Sequence, residues 1–133
     1  MKYLLDTNTC IRYLNGRSES IKVRFLAIEP NDIVLCSVVK AELFYGVEKS
    51  QQVERNLQRI RQFVGQFISL PFDDRTSETY AKIRSRLERV GMPIGPNDLF
   101  IAAIARTHDL TLVTHNLNEF KRVENLKLED WEI

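Results

Sequence analysis

Three carboxylates stand apart from the other acidic residues of this 133-residue chain because each falls in an apolar setting. Asp6 closes the run Lys2-Tyr3-Leu4-Leu5, Glu42 sits inside Ser37-Val38-Val39-Lys40-Ala41-Glu42-Leu43, and Asp98 opens Asp98-Leu99-Phe100-Ile101-Ala102-Ala103-Ile104-Ala105. An ionised carboxylate away from water takes up a proton or costs several kcal/mol unless a cation or hydrogen bonds compensate it. Three of them meeting at one place would repel strongly without a shared cation. Oxygen donors with no Cys and no His pair suit Mg²⁺ or Mn²⁺ and argue against zinc. The matching chemistry is metal-assisted phosphodiester hydrolysis, in which the ion acidifies a water and stabilises charge on the phosphoryl oxygens. Each acid also has a plainer reading: Asp6 as a helix N-cap, Glu42 as the partner of an arginine, Asp98 as an acid favoured by a helix N-terminus.

The surrounding elements explain why these acids should meet. Tyr3 to Leu5 reads as a buried strand, with Thr7, Asn8 and Thr9 as capping residues and Cys10 to Asn15 as a short helix closed by Gly16. Ser18 to Ile28 has helical spacing and ends at Pro30-Asn31-Asp32. Ile33 to Ser37 is apolar on both faces, as an interior parallel strand should be, and Ser37 is placed to cap a helix from Val38 to Lys49. On a helical wheel for that helix Glu42 falls within the arc of Val38, Val39, Ala41, Tyr45 and Gly46, which predicts that it faces inward. A helical period continues through Val53, Leu57, Ile60 and Val64, Phe67 to Pro71 is a weaker strand, and Asp73 to Val90 carries a stripe of Tyr80, Ile83, Leu87 and Val90 ended by Gly91. After the loop 92–97, the helix from Asp98 is apolar all round and must be buried. Leu110 to Thr114 is another interior strand, 115–120 a loop or short helix, and Leu126 to Ile133 a last edge strand. Strands alternating with helices predict an α/β fold with a central, mostly parallel sheet flanked by helices, in a single domain spanning 1–133.

In such a sheet every strand delivers its C-terminal end to one edge, where ligands bind. The residues following the strands are Asp6, Thr7 and Asn8, then Ser37, then Thr114, His115, Asn116, Asn118 and Glu119. That edge is rich in oxygen and free of cysteine. A formal charge of +1 excludes a strongly basic nucleic-acid binder but allows a local patch. The two cysteines, Cys10 and Cys36, make neither a disulfide framework nor a zinc site and are expected as buried thiols in a reducing cytoplasm. No targeting peptide or membrane-length apolar run is visible.

Leu4-Leu5-Asp6-Thr7-Asn8, Ser37 to Leu43, Gly95-Pro96-Asn97-Asp98-Leu99-Phe100-Ile101-Ala102-Ala103 and Leu112-Val113-Thr114-His115-Asn116 with Phe120, in this order, resemble the PIN domain, and more narrowly the VapC-type toxin ribonucleases. The resemblance spans 1–133. It implies a parallel sheet flanked by helices and a Mg²⁺-dependent endoribonuclease (Mn²⁺ a substitute) restrained by a cognate VapB-like antitoxin, with a homodimer and a structured RNA such as transfer RNA expected by analogy. Asp6, Glu42 and Asp98 match the family's acidic metal ligands. Where many PIN domains have a fourth acid this chain has Asn116, which supplies no charge and leaves a second ion in question; Glu119 is close enough in sequence to substitute. Thr7, Asn8, Ser37, Thr114 and Asn116 are assigned to hydrogen bonds with the carboxylates or the scissile phosphate. The implied reaction is in-line attack by a metal-activated water, leaving 5′-phosphate and 3′-hydroxyl ends.

Other classes fit less well. A haloacid dehalogenase-like phosphohydrolase with Asp6 as nucleophile wants a second acid where Asn8 stands. A phosphorelay receiver needs an aspartate ending a central strand where Cys36-Ser37 or Pro71 stands. A catalytically weak PIN domain acting only as an RNA- or partner-binding module would have no use for three intact acids. His108 reads as a helix-end residue, and His115 as a cleft-edge residue in reach of phosphate. Arg12, Arg17, Arg55, Arg59, Arg61, Lys82, Arg84, Arg86 and Arg89 are mostly solvated surface, with those near the cleft available to RNA. Tyr13, Phe25, Phe44 and Tyr45 exceed what a small core needs and suggest a groove for an antitoxin helix or a dimer surface.

Overall fold

Every strand of the sheet runs in the same direction, which is possible only because helices carry the chain back between them. The computed structural model describes all 133 residues. In chain order the elements are β1 (Tyr3–Leu5), α1 (Thr7–Leu14), α2 (Glu19–Leu26), a 3₁₀ turn (Pro30–Asp32), β2 (Ile33–Cys36), α3 (Ser37–Glu48), α4 (Val53–Val64), β3 (Ile68–Leu70), α5 (Asp74–Arg89), α6 (Pro96–Thr107), β4 (Thr111–Val113), α7 (Leu117–Phe120) and β5 (Lys127–Glu129). The strand order is β3-β2-β1-β4-β5, so β1 is central, with Leu4 opposite both Val34 and Leu112. Leu4, Leu5, Val34, Leu35 and Leu112 are all fully buried, as strands covered on both faces require.

The chain winds outward from β1 to β3, then crosses back to β4 and β5 on the other side. The strand order therefore reverses between β1 and β4, the point at which open parallel sheets form a ligand crevice beyond their strand ends. Asp6 ends β1 and Thr114 ends β4 at that point. The backbone N–H of Asp6 donates to the Val113 carbonyl at 3.0 Å, which ties the two strand ends together.

Burial of α6 is nearly complete, with Ile101 to Ala105 all inside, packed against α5, α3 and β4. Its alanines let the backbone approach these neighbours, so bulk there has nowhere to go. Ala102→Leu is expected to destabilise the chain by about 1–3 kcal/mol, read as a lowered denaturation midpoint.

Several expectations shift in detail. Thr7 to Thr9 lie inside α1 rather than before it, and Asp6 is the cap, accepting from the Thr9 N–H at 2.9 Å. Ser37 is the first residue of α3, exposed and without a side-chain hydrogen bond, while Cys36 holds the cap position. Gly95 caps α6, which starts at Pro96, the position where proline's missing N–H costs nothing. Val90 is exposed, because α5 ends before the stripe reaches it. Only 127–129 of the final segment pair with the sheet; beyond them the chain turns in and buries Trp131, whose carbonyl accepts from Ser20 Oγ at 2.6 Å. Tyr13 and Phe25 are used internally, stacked at 3.9 Å beside Phe63. Tyr45 is exposed under the Lys49 ammonium. Cys10 and Cys36 are buried free thiols. No helix is long and apolar enough to cross a membrane.

Candidate active site

Asp6 is placed by β1, Glu42 by the second turn of α3, Asp98 by the first turn of α6 and Glu119 by α7, and all four carboxylates gather at the sheet edge beside the strand reversal. Asp6 is 6% exposed. Burial raises its pKa; the hydroxyl of Thr114 and the N–H and hydroxyl of Thr9 offset part of this, while the neighbouring Glu42 charge adds to it. The sequence therefore uses one residue twice, since the plain capping role is real and the cap also holds a carboxylate at the crevice.

Glu42 is half-buried, and the wheel prediction for it needs correction. The buried stripe of α3 is Val39, Leu43 and Val47, whereas Ala41, Tyr45 and Gly46 face solvent. Glu42 stands at the border of that stripe, where Thr7 Oγ1 donates to Oε1 at 2.5 Å and Asn97 Nδ2 to Oε2 at 3.3 Å. No arginine pairs with it.

Asp98 and Glu119 form a pair over Gly95, where an added Cβ would lie 3.6 Å from Glu119 Oε1 and 3.7 Å from Asp98 Oδ2. Glu119 accepts from the Gly95 N–H at 2.7 Å and from Asn116 Nδ2 at 2.8 Å. Burial pushes Asp98 up to about 7, reinforced by the charge of Glu119 and then by Asp6 and Glu42. Burial also opposes ionisation of Glu119, but the Gly95 N–H, the Asn116 amide, the Asp98 proton and nearby Arg122 outweigh it and hold Glu119 low. Burial and the neighbouring acids thus favour the protonated form of Asp98, while the two N–H donors favour the ionised form of Glu119.

The roles of the remaining candidates divide. Thr7 and Thr114 hydrogen-bond Glu42 and Asp6, and the Thr114 hydroxyl also accepts from the Asn116 N–H at 3.0 Å. Asn116 orients Glu119 rather than standing in for it. Asn8 is exposed in the crevice with no side-chain partner, and Ser37 touches none of the acids through a hydrogen bond. Asn97 and Gly95, which sequence reasoning passed over, are contacts of Glu42 and Glu119; their place beside Asp98 in one short segment was the available signal. Thr114 is fully buried, so Thr114→Val would remove the acceptor of the Asn116 N–H and the hydroxyl that favours ionised Asp6. A loss of about 1–3 kcal/mol of stability is expected, measured by denaturant titration.

A second polar cluster was not foreseen. His115 Nδ1 lies 2.9 Å from Asp130 Oδ2 and 3.3 Å from Glu132 Oε2, and Arg12 Nε pairs with Glu132 Oε1 at 2.5 Å. Donation from the protonated His115 ring to the Asp130 carboxylate, with the charge of Glu132, raises the His115 pKa. Two acids here meet an arginine and a histidine, so the cluster has its own counter-charges. The four crevice carboxylates make no ion pair at all. In donor chemistry their surplus of negative oxygens, without nitrogen or sulfur, suits a hard divalent cation, although the three ligand atoms that lie within 4.8 Å of one another are those of His115, Asp130 and Glu132.

A parallel sheet with an acid at the end of its central strand and two more brought in by flanking helices defines a class, and the chain belongs to the PIN domain family, whose model matches residues 3–126. At finer grain it is 41% identical over 131 residues to the tRNA(fMet)-specific endonuclease VapC of Shigella flexneri, with 98% of each chain covered. It is 40% identical to ribonuclease VapC2 of Rickettsia felis, with 99% of each covered. Its fold matches the crystal structure of DNA-bound VapBC from Salmonella typhimurium with a TM-score of 0.93 at 38% identity, covering 98% of each chain.

Proposed function

We propose that this chain is a VapC-type endoribonuclease, the toxin of a toxin-antitoxin pair, that hydrolyses RNA phosphodiesters at the Asp6, Glu42, Asp98 and Glu119 crevice. The observation that carries this reading is that four carboxylates share one sheet edge and none of them forms an ion pair. Asp6, Glu42 and Asp98 are the residues that would hold Mg²⁺, with Mn²⁺ as a substitute, and Glu119 takes the place of the acid missing at Asn116. The ion would supply an acidified water and charge stabilisation at the phosphate. Thr7 and Asn97 orient Glu42, the Thr9 N–H orients Asp6, and Gly95 with Asn116 orient Glu119 through hydrogen bonds. The Asp98 proton must leave when a cation binds. Water attack in line with the leaving 3′ oxygen gives 5′-phosphate and 3′-hydroxyl ends, with no part for the 2′-hydroxyl. Relatives carrying a transfer-RNA name support a structured RNA of that kind as substrate.

A VapB-like antitoxin belongs to the same proposal. A groove of about 340 Å³ opens beside Glu42, lined by Ile11, Leu14, Leu43, Val47 and Ile60, and bridged by Arg59 donating to the Leu14 carbonyl. Its apolar walls suit an amphipathic helix. A homodimer in the cytoplasm completes the proposed setting.

Purified chain incubated with total RNA should cut in Mg²⁺ and stop in EDTA, and a single 2′-deoxy substitution at the scissile nucleotide should be tolerated. Ends carrying 2′,3′-cyclic phosphate would overturn the mechanism.

A further inference from the structure

The acids are flanked by two different cavities. The groove beside Glu42 is half apolar, whereas the other, beside Asp6, has a volume of about 590 Å³ and a single hydrophobic lining residue, Ile11. That volume is within the range of about 300–1,000 Å³ typical of ligand sites. Its polar groups are unequal in one respect. Arg12 is engaged by Glu132 and His115 Nδ1 by Asp130, so these side chains are committed to the protein. Asn8, Asn15 and Arg17 make no side-chain hydrogen bond or ion pair, although all three line the same space as Asp6. Asn116 donates through Nδ2 to Glu119 and keeps its carbonyl oxygen free.

Uncommitted amides and a guanidinium beside a phosphodiester-cleaving carboxylate have a specific use. A primary amide offers one acceptor and two donors, the pattern that reads a base edge, and an unpaired guanidinium grips a phosphate through two parallel N–H bonds. Single-stranded RNA with its bases splayed out is the form that presents both groups at once. Asn15 borders both spaces, but the groove on the Glu42 side carries five hydrophobic residues and an arginine, Arg59, already engaged with the Leu14 carbonyl, whereas the Asp6 side carries Asn8, Asn116 and the unpaired Arg17.

Resting on the reading of the crevice as a ribonuclease site, we propose that the Asp6-side cavity seats a nucleotide flanking the scissile phosphate, with Asn15 reading its base edge and Arg17 binding the adjoining phosphate. The pair sets which phosphodiester is cut without touching the reacting atoms. Asn15 is the C-cap of α1 and Arg17 follows Gly16, whose φ of +64° turns the chain there, and both residues line the cavity.

The test uses a random-sequence oligoribonucleotide pool cut by the full chain in Mg²⁺, with ends mapped by sequencing and KM and kcat measured across a salt series. Arg17→Ala should raise KM about tenfold, reduce the salt slope by about one and leave kcat within about twofold. Arg17→Lys should recover part of the KM. Asn15→Ala should broaden the base preference at one position beside the cut. Thermal melts of both variants should match the parent, since both residues are exposed. An unchanged salt slope in Arg17→Ala together with an unchanged cut pattern in Asn15→Ala would overturn the proposal, as would loss of kcat at constant KM. A parent chain that cuts nothing in the pool or in total RNA would instead overturn the ribonuclease reading itself.

Discussion

Asp6→Asn is expected to lower RNA cleavage by about a hundred- to a thousandfold or more, the cost of removing one preorganised charged group from such a site, while making the ion-free protein more stable. Both effects come from the same burial. The folded chain raises the Asp6 pKa, so its ionised form is disfavoured by the fold. Asparagine keeps an oxygen to accept from the Thr9 N–H, removes the charge and relieves the repulsion on Glu42 and Asp98. In EDTA at pH 8 the melting temperature should therefore rise, and added Mg²⁺ should no longer raise it. A variant that is both inactive and less stable in EDTA would mean that Asp6 serves the fold alone, as a helix cap.

The second large effect is the response of the unmodified chain to pH and to divalent ions. Asp98 keeps its proton in the fold up to about 7, against an ordinary value of 3.8. Between these values the unfolded chain has released a proton that the folded chain still holds. Ion-free stability should therefore fall as pH rises through that window and level off above it. Mg²⁺ or Mn²⁺ competes with that proton, so its stabilisation should be greatest above pH 7 and fade below about 5. At a hundred times the dissociation constant the gain is about 2.7 kcal/mol, on the order of 10 °C for a chain of this length. Thermal melts across pH with and without the ion read both trends, and a flat response to the ion would remove the reason for clustering four acids.

Much of this arrangement was legible in the residues because the acids sit at element boundaries. A strand of Tyr3-Leu4-Leu5 that stops at Asp6, and an all-apolar helix that begins at Asp98, place their carboxylates through backbone geometry alone. Glu42 was harder. Its helix is apolar on too many sides for a wheel to locate the buried stripe, and packing against α4, α1, α6 and β2 decides that Val39, Leu43 and Val47 turn inward and leave Glu42 at the border. Glu119 was legible by proximity to Asn116, but its low pKa beside a raised Asp98 depends on the Gly95 N–H, which no pattern reports. The His115, Asp130 and Glu132 cluster escaped for a different reason. Reading Leu126 to Ile133 as one extended strand would alternate Asp130 and Glu132 onto a single face at an edge, whereas the turn that buries Trp131 carries both carboxylates to the crevice rim.

The central claim is that the crevice acids hold a divalent cation, and calorimetric titration of Mn²⁺ into the purified chain near pH 6.5 in buffers of different ionisation enthalpy tests it most directly. Binding that releases the Asp98 proton, seen as a buffer-dependent heat, and that is lost in Asp6→Asn but kept in Asp130→Asn, is the predicted result. Binding that survives Asp6→Asn and Asp98→Asn, or no binding at all, would contradict it.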